Sequence, residues 1–503
     1  MASIMDHGKL SRSEFFAAPG SKVYFIGIKG TGMCALAELL SGSGFRVSGS
    51  DQAGIFYTCS ILADLGIPYY ESFSPSHIRD DFDLVIYSAA YTFEGNPEMA
   101  EARKRGLPII KYTDALGLYS RRFDSSGIAG VHGKTTTTAL AGQLVRAAGI
   151  PAQVLAGSAV KGFNSRSTLN LGNKYFIAET CEYRRHFLSF HPRRIVLTAV
   201  ESDHQDYYPT YESIRDAFVE YCGLLPPDGE LIYCADDPGA REVAAIIKNK
   251  SSPPVLVPYG FTAEGDYRIL SYRVPGGGRA ELKLAGFPPE LTLRIPGRHE
   301  ALNAASALAL TSSLVAGEFG DGTAGSGWTE EKREQVRKAL EEFAGSKRRQ
   351  EILGEAGGVL FMDDYAHHPT AIAVTLDGLR AFYPGRRIIV SFMSHTYTRT
   401  ASLLDAFAES LTKADIVFLH KIYASAREQY SGGVTGRVLF EKTREKSDNV
   451  YYVEEPEDAE EPVKNALKAG DIFITMGAGN NWPLGEKLYN YYRGKEGNGQ
   501  CEA

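Results

Sequence analysis

The chain has 503 residues, 44% of them hydrophobic and 23% charged, with a formal net charge of -7 at neutral pH. That is length for about three domains of ordinary globular composition, and the mild acidity argues against a general nucleic-acid binder. No apolar run reaches the roughly 18 residues of a membrane span, and the Met1–Gly20 leader lacks the apolar core of a secretory signal. The six cysteines (Cys34, Cys59, Cys181, Cys222, Cys234, Cys501) form no CxxC and no dense framework, so reduced thiols in a cytoplasmic protein are expected.

In chain order, Val23–Ile28 reads as a short buried strand, followed by a glycine cluster and an Ala/Leu-rich helical stretch, Met33–Leu40. Phe45–Gly49, Asp83–Ala89 and Pro108–Lys111 read as further strands, and their alternation with helices predicts βαβ units on a parallel sheet. A second segment opens near Asp124, with strands at Gly127–Gly130, Tyr175–Ala178 and Ile195–Val200, and helices at Thr135–Ala148 and His299–Val315. Pro253–Pro296 reads as hairpins rather than βαβ. A third segment, from about Ser346, repeats the α/β pattern with strands at Val359–Met362, Arg387–Phe392, Ile416–Leu419 and Ile472–Met476 and a helix at Leu403–Leu411. The charged, Gly-rich tail from Arg493 is expected to fray. The predicted fold class is therefore α/β in three domains, 1–123, 124–345 and 346–503: two Rossmann-like units flanking a central P-loop ATPase-type unit with a small β-rich part.

Three sites, built at glycine- or histidine-bearing strand ends, carry the chemistry. After the first strand, Gly30-Thr31-Gly32-Met33-Cys34-Ala35 satisfies G-x-G-x-x-A, and Ser50-Asp51 closes the next strand, about 20 residues on. Glycines let backbone amides approach a diphosphate, and the helix N-terminus favours its charge. NAD is the default ligand of such a fingerprint, but any nucleoside diphosphate has the same pyrophosphate. The loop Gly127–Thr138 (GIAGVHGKTTTT) misses the usual phosphate-loop spelling, because Ile128 stands where the first glycine belongs. Gly130 and Gly133 could still free backbone amides for phosphates, with Lys134 between the β and γ phosphates and Thr135 on Mg²⁺. "FIAETCEY" and "IVLTAVESDH" bring Glu179, Glu182, Glu201, Asp203 and His204 to strand ends at the same sheet edge as the loop, as ligands for that ion or as the start of solvated loops. In the last segment "FMDDYAHHP" and "SFMSHTYTRT" deliver Asp363, Asp364, Tyr365, His367, His368, His395, Tyr397 and Arg399 past two strands read as adjacent. Arg with His there suits a carboxylate. The adjacent His367-His368 is not a zinc spacing, and no cysteine supports one.

These stretches, together with "PGRHEALNAASALA" and "GSKRRQ", resemble the Mur ligase family of peptidoglycan synthesis over nearly the whole chain. The family's phosphate loop has the shortened glycine spacing seen here. The resemblance implies that the first domain binds a UDP-sugar rather than NAD, through Gly30, Thr31, Gly32, Ser50, Asp51 and Ser88. It implies ATP on Gly130, His132, Gly133, Lys134, Thr135, Thr136, Asn303 and Asp364, and Mg²⁺ on Thr135, Glu179 and His204. Lys134, His204, Arg348, Arg349 and Asp364 would serve the chemistry, and Tyr365, His367, His395 and Arg399 the incoming amino acid. The implied reaction is ATP-driven amide formation, joining L-alanine to the lactyl carboxylate of UDP-N-acetylmuramate through an acyl phosphate. Small-molecule substrates are expected, with no nucleic acid or membrane partner, in a monomer or homodimer.

The chain departs from the family pattern at Glu300, where Asn is usual, at Thr396, which replaces a cation, and at Thr180-Cys181 within the usual acidic run; Lys29 adds a possible phosphate contact. A tripeptide-adding ligase of the same family, a D-glutamate adder, a non-catalytic nucleotide-binding relative and an NAD oxidoreductase are the competing readings. The last would leave the ATP loop without a role.

Overall fold

A computed structural model describes residues 19–54, 56–288, 290–323, 325–424, 430 and 432–499. Most of the N-terminal leader and Cys501 lie outside them. Three α/β units follow one another, each on its own sheet.

The first sheet contains β1 (Lys22–Ile26), β2 (Arg46–Ser50), β3 (Tyr69–Tyr70), β4 (Leu84–Tyr87) and β5 (Ile109–Lys111) in the order β3-β2-β1-β4-β5, all parallel. β1 is central and its last four residues are buried, which is why it reads as a continuous apolar run rather than an alternating one.

The second sheet is built from β6 (Asp124–Ala129), β7 (Ala152–Val160), β8 (Arg166–Asn170), β9 (Tyr175–Glu179), β10 (Arg194–Leu197), β11 (Glu230–Cys234) and β12 (Val255–Tyr259), ordered β12-β11-β10-β6-β9-β7-β8. Only β8 runs antiparallel. β12 pairs in parallel with β11, so the region expected to be all hairpins begins as the edge of the main sheet. Pro258 within it is tolerated because an edge strand has one unpaired side. The hairpins proper are β13 (Ile269–Arg273), β14 (Ala280–Leu284) and β15 (Leu291–Leu293), a three-stranded antiparallel sheet. The helices Lys134–Ala148 and Arg298–Phe319 pack together through buried small residues, among them Ala141, Ala304 and Ala307.

The last sheet holds β16 (Glu351–Ala356), β17 (Val359–Asp364), β18 (Ile388–Phe392), β19 (Ile416–Leu419), β20 (Val450–Tyr452) and β21 (Ile472–Met476), ordered β16-β17-β21-β18-β19-β20. β16 is antiparallel to β17 and the rest are parallel. β17 and β18, expected to be neighbours, instead flank β21. Every residue of β17, β18 and β21 is buried, and helices cover both faces, so the strand pattern shows hydrophobicity without revealing order. The Trp482–Gly499 helix closes the described chain; the tail beyond Arg493 thus continues helical to Gly499.

Candidate functional site

Two seams hold the candidate residues. Between the first and central units lies a cleft of about 310 Å³ lined by Gly30, Thr31, Gly32, Ser88, Glu179 and Cys181 among others. Gly30 caps the Thr31–Gly42 helix with no side-chain hydrogen bond to its first-turn amides, which have no partner inside the helix. A Cβ on Gly32 would stand 2.8 Å from the Tyr112 hydroxyl, so glycine is demanded by packing across the cleft. Ser50 and Asp51 do not line it. Ser50 donates to buried Glu98. Asp51, 5% exposed, accepts from the Lys29 backbone amide at 2.7 Å and from the Tyr91 hydroxyl at 3.0 Å. Asp51 therefore shapes the glycine loop from beneath. The Lys29 ammonium is buried as well, donating to Gln52 O, Gly54 O and Glu71, which removes it as a phosphate contact in this arrangement. Nearby, Lys111 Nζ lies 3.3 Å from His186 Nε2, and His186 lines the cleft. Neither was singled out in the sequence; the signal available was that Lys111 ends a parallel strand at the binding edge.

The phosphate loop leaves β6 at Gly130 (φ +137°) and enters the Lys134–Ala148 helix at Gly133 (φ +79°), both left-handed positions that favour glycine. A Cβ on Gly130 would collide with Thr198, and one on Gly133 would stand 2.6 Å from Asn303 Oδ1. Lys134 Nζ donates to Gly130 O and to both oxygens of Glu182, at 2.9 and 3.1 Å. Burial works against the ammonium, but Glu182, Cys181 and Glu179 outweigh it and raise the Lys134 pKa; Glu182, also buried, is lowered because Lys134 and His204 outweigh desolvation. The lysine is thus charged and held by an anion that phosphates would replace. Thr135 Oγ1 donates to Glu179 Oε2 at 2.8 Å, a hydroxyl and a carboxylate side by side, which is the hard oxygen donor set Mg²⁺ takes. Thr136 is buried in the first turn. His204, in a left-handed conformation (φ +53°), has its Nε2 3.4 Å from Glu182 Oε1.

Asn303 accepts from Thr137 at 3.3 Å and donates to Glu300 at 3.1 Å. The unusual acid at 300 therefore orients the asparagine amide one helical turn away. His299 joins by a 2.8 Å contact with Gln350.

The second seam joins the central and last units. Arg348 (φ +60°) sends Nε to Asp363 at 3.0 Å and Nη2 and Nη1 to Gly477 O and Gly479 O at 2.7 and 3.2 Å, so it anchors the linker to its own sheet. Arg349 instead reaches back, stacking on Tyr365 at 4.9 Å and lying 3.5 Å from Thr135 Oγ1. Asp364 accepts from the Gln350 and Ala366 amides at 2.7 and 2.6 Å, and burial raises its pKa to about 6. His367 Nδ1 lies 2.8 Å from Tyr365 O, and its pKa is lowered well below the ordinary value, by burial first and by Arg399 next.

Arg399 does not stand open. It donates to Asp203 Oδ1 from Nε and Nη2 at 2.9 and 2.7 Å, with Nη1 3.2 Å from His395 Nδ1. The cavity bounded by His204, His395, Thr396 and Arg399 measures about 10 Å³, room for one water. His204, Arg348, Gln350 and Thr396, all non-glycine residues at positive φ, cluster along this seam; such strain costs about 1–3 kcal/mol each and concentrates at functional sites.

Comparison with known proteins places this geometry. Models of the Mur ligase family match residues 22–124 (catalytic domain), 128–311 (middle domain) and 348–479 (glutamate ligase domain). The chain belongs to the Mur ligase family. It is 53% identical over 474 residues to the UDP-N-acetylmuramate–L-alanine ligase of Treponema pallidum (strain Nichols), covering 94% of this chain and 97% of that one. It is 38% identical to the enzyme of that name from Borreliella burgdorferi, over 93% and 98% of the two chains. Among solved structures, the UDP-N-acetylmuramate-alanine ligase of Thermotoga maritima superposes with a TM-score of 0.73 at 24% identity, covering 94% and 99% of the chains. A murein peptide ligase from Psychrobacter arcticus gives 0.63 at 23% identity. At those identities the structural likeness shows the fold alone.

Proposed function

We propose that this chain is an ATP-dependent ligase that joins L-alanine to the lactyl carboxylate of UDP-N-acetylmuramate in peptidoglycan precursor synthesis. The observation that carries the reading is the convergence of Lys134, Thr135, Glu179 and Arg349 between the two seams, in a chain more than half identical to a ligase of that name.

Gly30, Thr31, Gly32 and Ser88 would hold the UDP-sugar in the first cleft, with Ser50 and Asp51 bracing the loop. Gly130, His132, Gly133 and Thr136 would cradle ATP, Asn303 its adenine and Asp364 the nucleotide's far end. Lys134 exchanges Glu182 for the β and γ phosphates and neutralises charge as the sugar carboxylate attacks the γ-phosphate; phosphoryl transfer needs this alignment more than covalent help. Thr135 and Glu179 would hold Mg²⁺, with His204 and Glu182 beside them; the bound ion would spread the charge of the transferring phosphoryl group. Arg349, next to Thr135, follows the same oxygens, while Arg348 fixes the linker. His395, His367, Tyr365 and Arg399 would receive L-alanine, whose amine displaces phosphate from the acyl phosphate while the closed seam keeps water out. For that, Arg399 must release Asp203 and the 10 Å³ cavity must widen.

The unit boundaries at 123/124 and 345/346 are proposed from the ends of the three sheets, and the cytoplasm as the compartment from the substrates. No helix among the described residues is long and apolar enough to cross a membrane. The test is phosphate release with ATP, Mg²⁺ and UDP-N-acetylmuramate across L-Ala, L-Ser, Gly, D-Glu and the tripeptide. L-Ala should give the highest kcat/KM, and a tripeptide preference would overturn the reading.

A further inference from the structure

One constellation shares only the phosphate-loop His132 with that chemistry. His132 in the phosphate loop, Glu201 beyond β10 and His368 at the N-cap of the Pro369–Phe382 helix each present a donor atom within 4.8 Å of the other two. His132 Nε2 and Glu201 Oε1 are in contact, His368 Nδ1 is 3.7 Å from the same oxygen, and the two imidazole rings are 5.1 Å apart between centroids. His132 Nε2 and Glu201 Oε1 are buried against each other, and the buried His368 Nε2 makes no hydrogen bond. A buried polar atom left this way costs about 1–3 kcal/mol, and one beside a buried His–Glu pair calls for something that satisfies it. The supporting contacts fix the group rather than saturate it. Glu201 Oε2 accepts from the Thr370 hydroxyl at 3.2 Å, and His368 Nδ1 takes only a long 3.4 Å bond from the Thr370 amide.

We propose that His132, Glu201 and His368 form a site for a borderline-soft divalent transition metal such as Zn²⁺ or Co²⁺, bridging the central and last units. Two imidazoles and one carboxylate, with a fourth position open, suit such ions. The set does not suit Mg²⁺, which demands oxygens and keeps its water; the hydroxyl–carboxylate pair of Thr135 and Glu179 is the contrasting donor set. The adjacent histidines at 367 and 368, which make no zinc pair together, are divided between two jobs: His367 faces Tyr365 and His395, and His368 faces the other way, to His132 and Glu201. Because the donors come from both sides of the seam, an ion there holds the closed arrangement.

The experiment titrates the full-length, metal-free protein with Co²⁺ in excess Mg²⁺, reading visible absorption, and with Zn²⁺ by calorimetry. The expected result is one equivalent bound, a tetrahedral-type cobalt spectrum and a higher thermal midpoint. Glu201→Gln and His368→Asn should each weaken binding at least a hundredfold. Asn retains the helix N-cap and Gln the Thr370 contact, so loss of folding is not the expected cause, and circular dichroism without metal checks it. Wild-type protein that shows no cobalt spectrum overturns the proposal whatever the variants do, as does binding undiminished in both folded variants.

Discussion

The Asp203–Arg399 pair offers the sharpest test, because it is buried, crosses the seam and occupies the group proposed to receive the substrate carboxylate. The side chains are 4% and 5% exposed, and two N–H donors converge on one oxygen. An exposed ion pair contributes about 0–1 kcal/mol. Removing one partner of a buried pair costs about 3–5 kcal/mol, because the other charge is left without compensation. Asp203→Asn keeps the shape and removes the charge, so its cost should fall in that upper range. The double variant with Arg399→Gln should recover part of it, a coupling of the order of 2 kcal/mol. Denaturant unfolding of the four proteins at neutral pH measures this. Burial by itself would raise the Asp203 pKa; the Arg399 guanidinium, then His204 and His367, outweigh it and hold the carboxyl far below the usual range. Its stabilisation is therefore complete above the unfolded value near 4 and is lost only as the pH falls toward the depressed native one. Asp203→Asn should also lower the KM for L-alanine, since the substrate no longer competes with an internal carboxylate. Additive single-variant effects, with coupling below about 0.5 kcal/mol, would refute the reasoning.

Lys134→Ala should lower phosphate release by several orders of magnitude while UDP-sugar affinity, measured by calorimetry, stays near wild type. Asp364 behaves oppositely to Asp203: with a native pKa of about 6, the folded state holds an extra proton between the unfolded value near 4 and pH 6, so this group's contribution to stability falls by about 1.4 kcal/mol per unit as pH rises through that window. Asp364→Asn should remove that slope from the pH dependence of unfolding. Glu300→Ala frees the Asn303 amide and should raise the ATP KM about tenfold with little change in kcat, whereas an unchanged KM would show that Asn303 needs no such support. Gly133→Ala, forced to a positive φ against Asn303, should weaken both ATP binding and stability.

Much of this arrangement was legible because it is local. The shortened glycine loop, the acids at the ends of β9 and beyond β10, and the His-rich ends of β17 and β18 are all runs of adjacent residues on strands whose apolar character marks them. What was not legible is pairing across long separations. Asp203 and Arg399 are 196 positions apart, and nothing near either announces the other. The three-residue β20 and two-residue β3 are too short for a pattern. β12 carries a proline that reads as a turn until its edge position is known. Ser50, Asp51 and Arg348 have residue types that suit a ligand, and the partners they hold within the fold, Glu98, the Lys29 amide and the Gly477 carbonyl, lie too far along the chain to be read from a local pattern.

The place of β21 also has a consequence in time. It enters the sheet between β17 and β18 but follows β18 in the chain by about 80 residues. At about 5–20 residues per second of synthesis, both flanking strands wait roughly 4–16 s with an unfilled slot between them. Throughout that interval two apolar strand edges lack their partner, and the Gly477 turn that anchors Arg348 does not yet exist. The nascent chain would then be most prone to aggregate late in its synthesis, and most in need of a chaperone, with its first two units already finished.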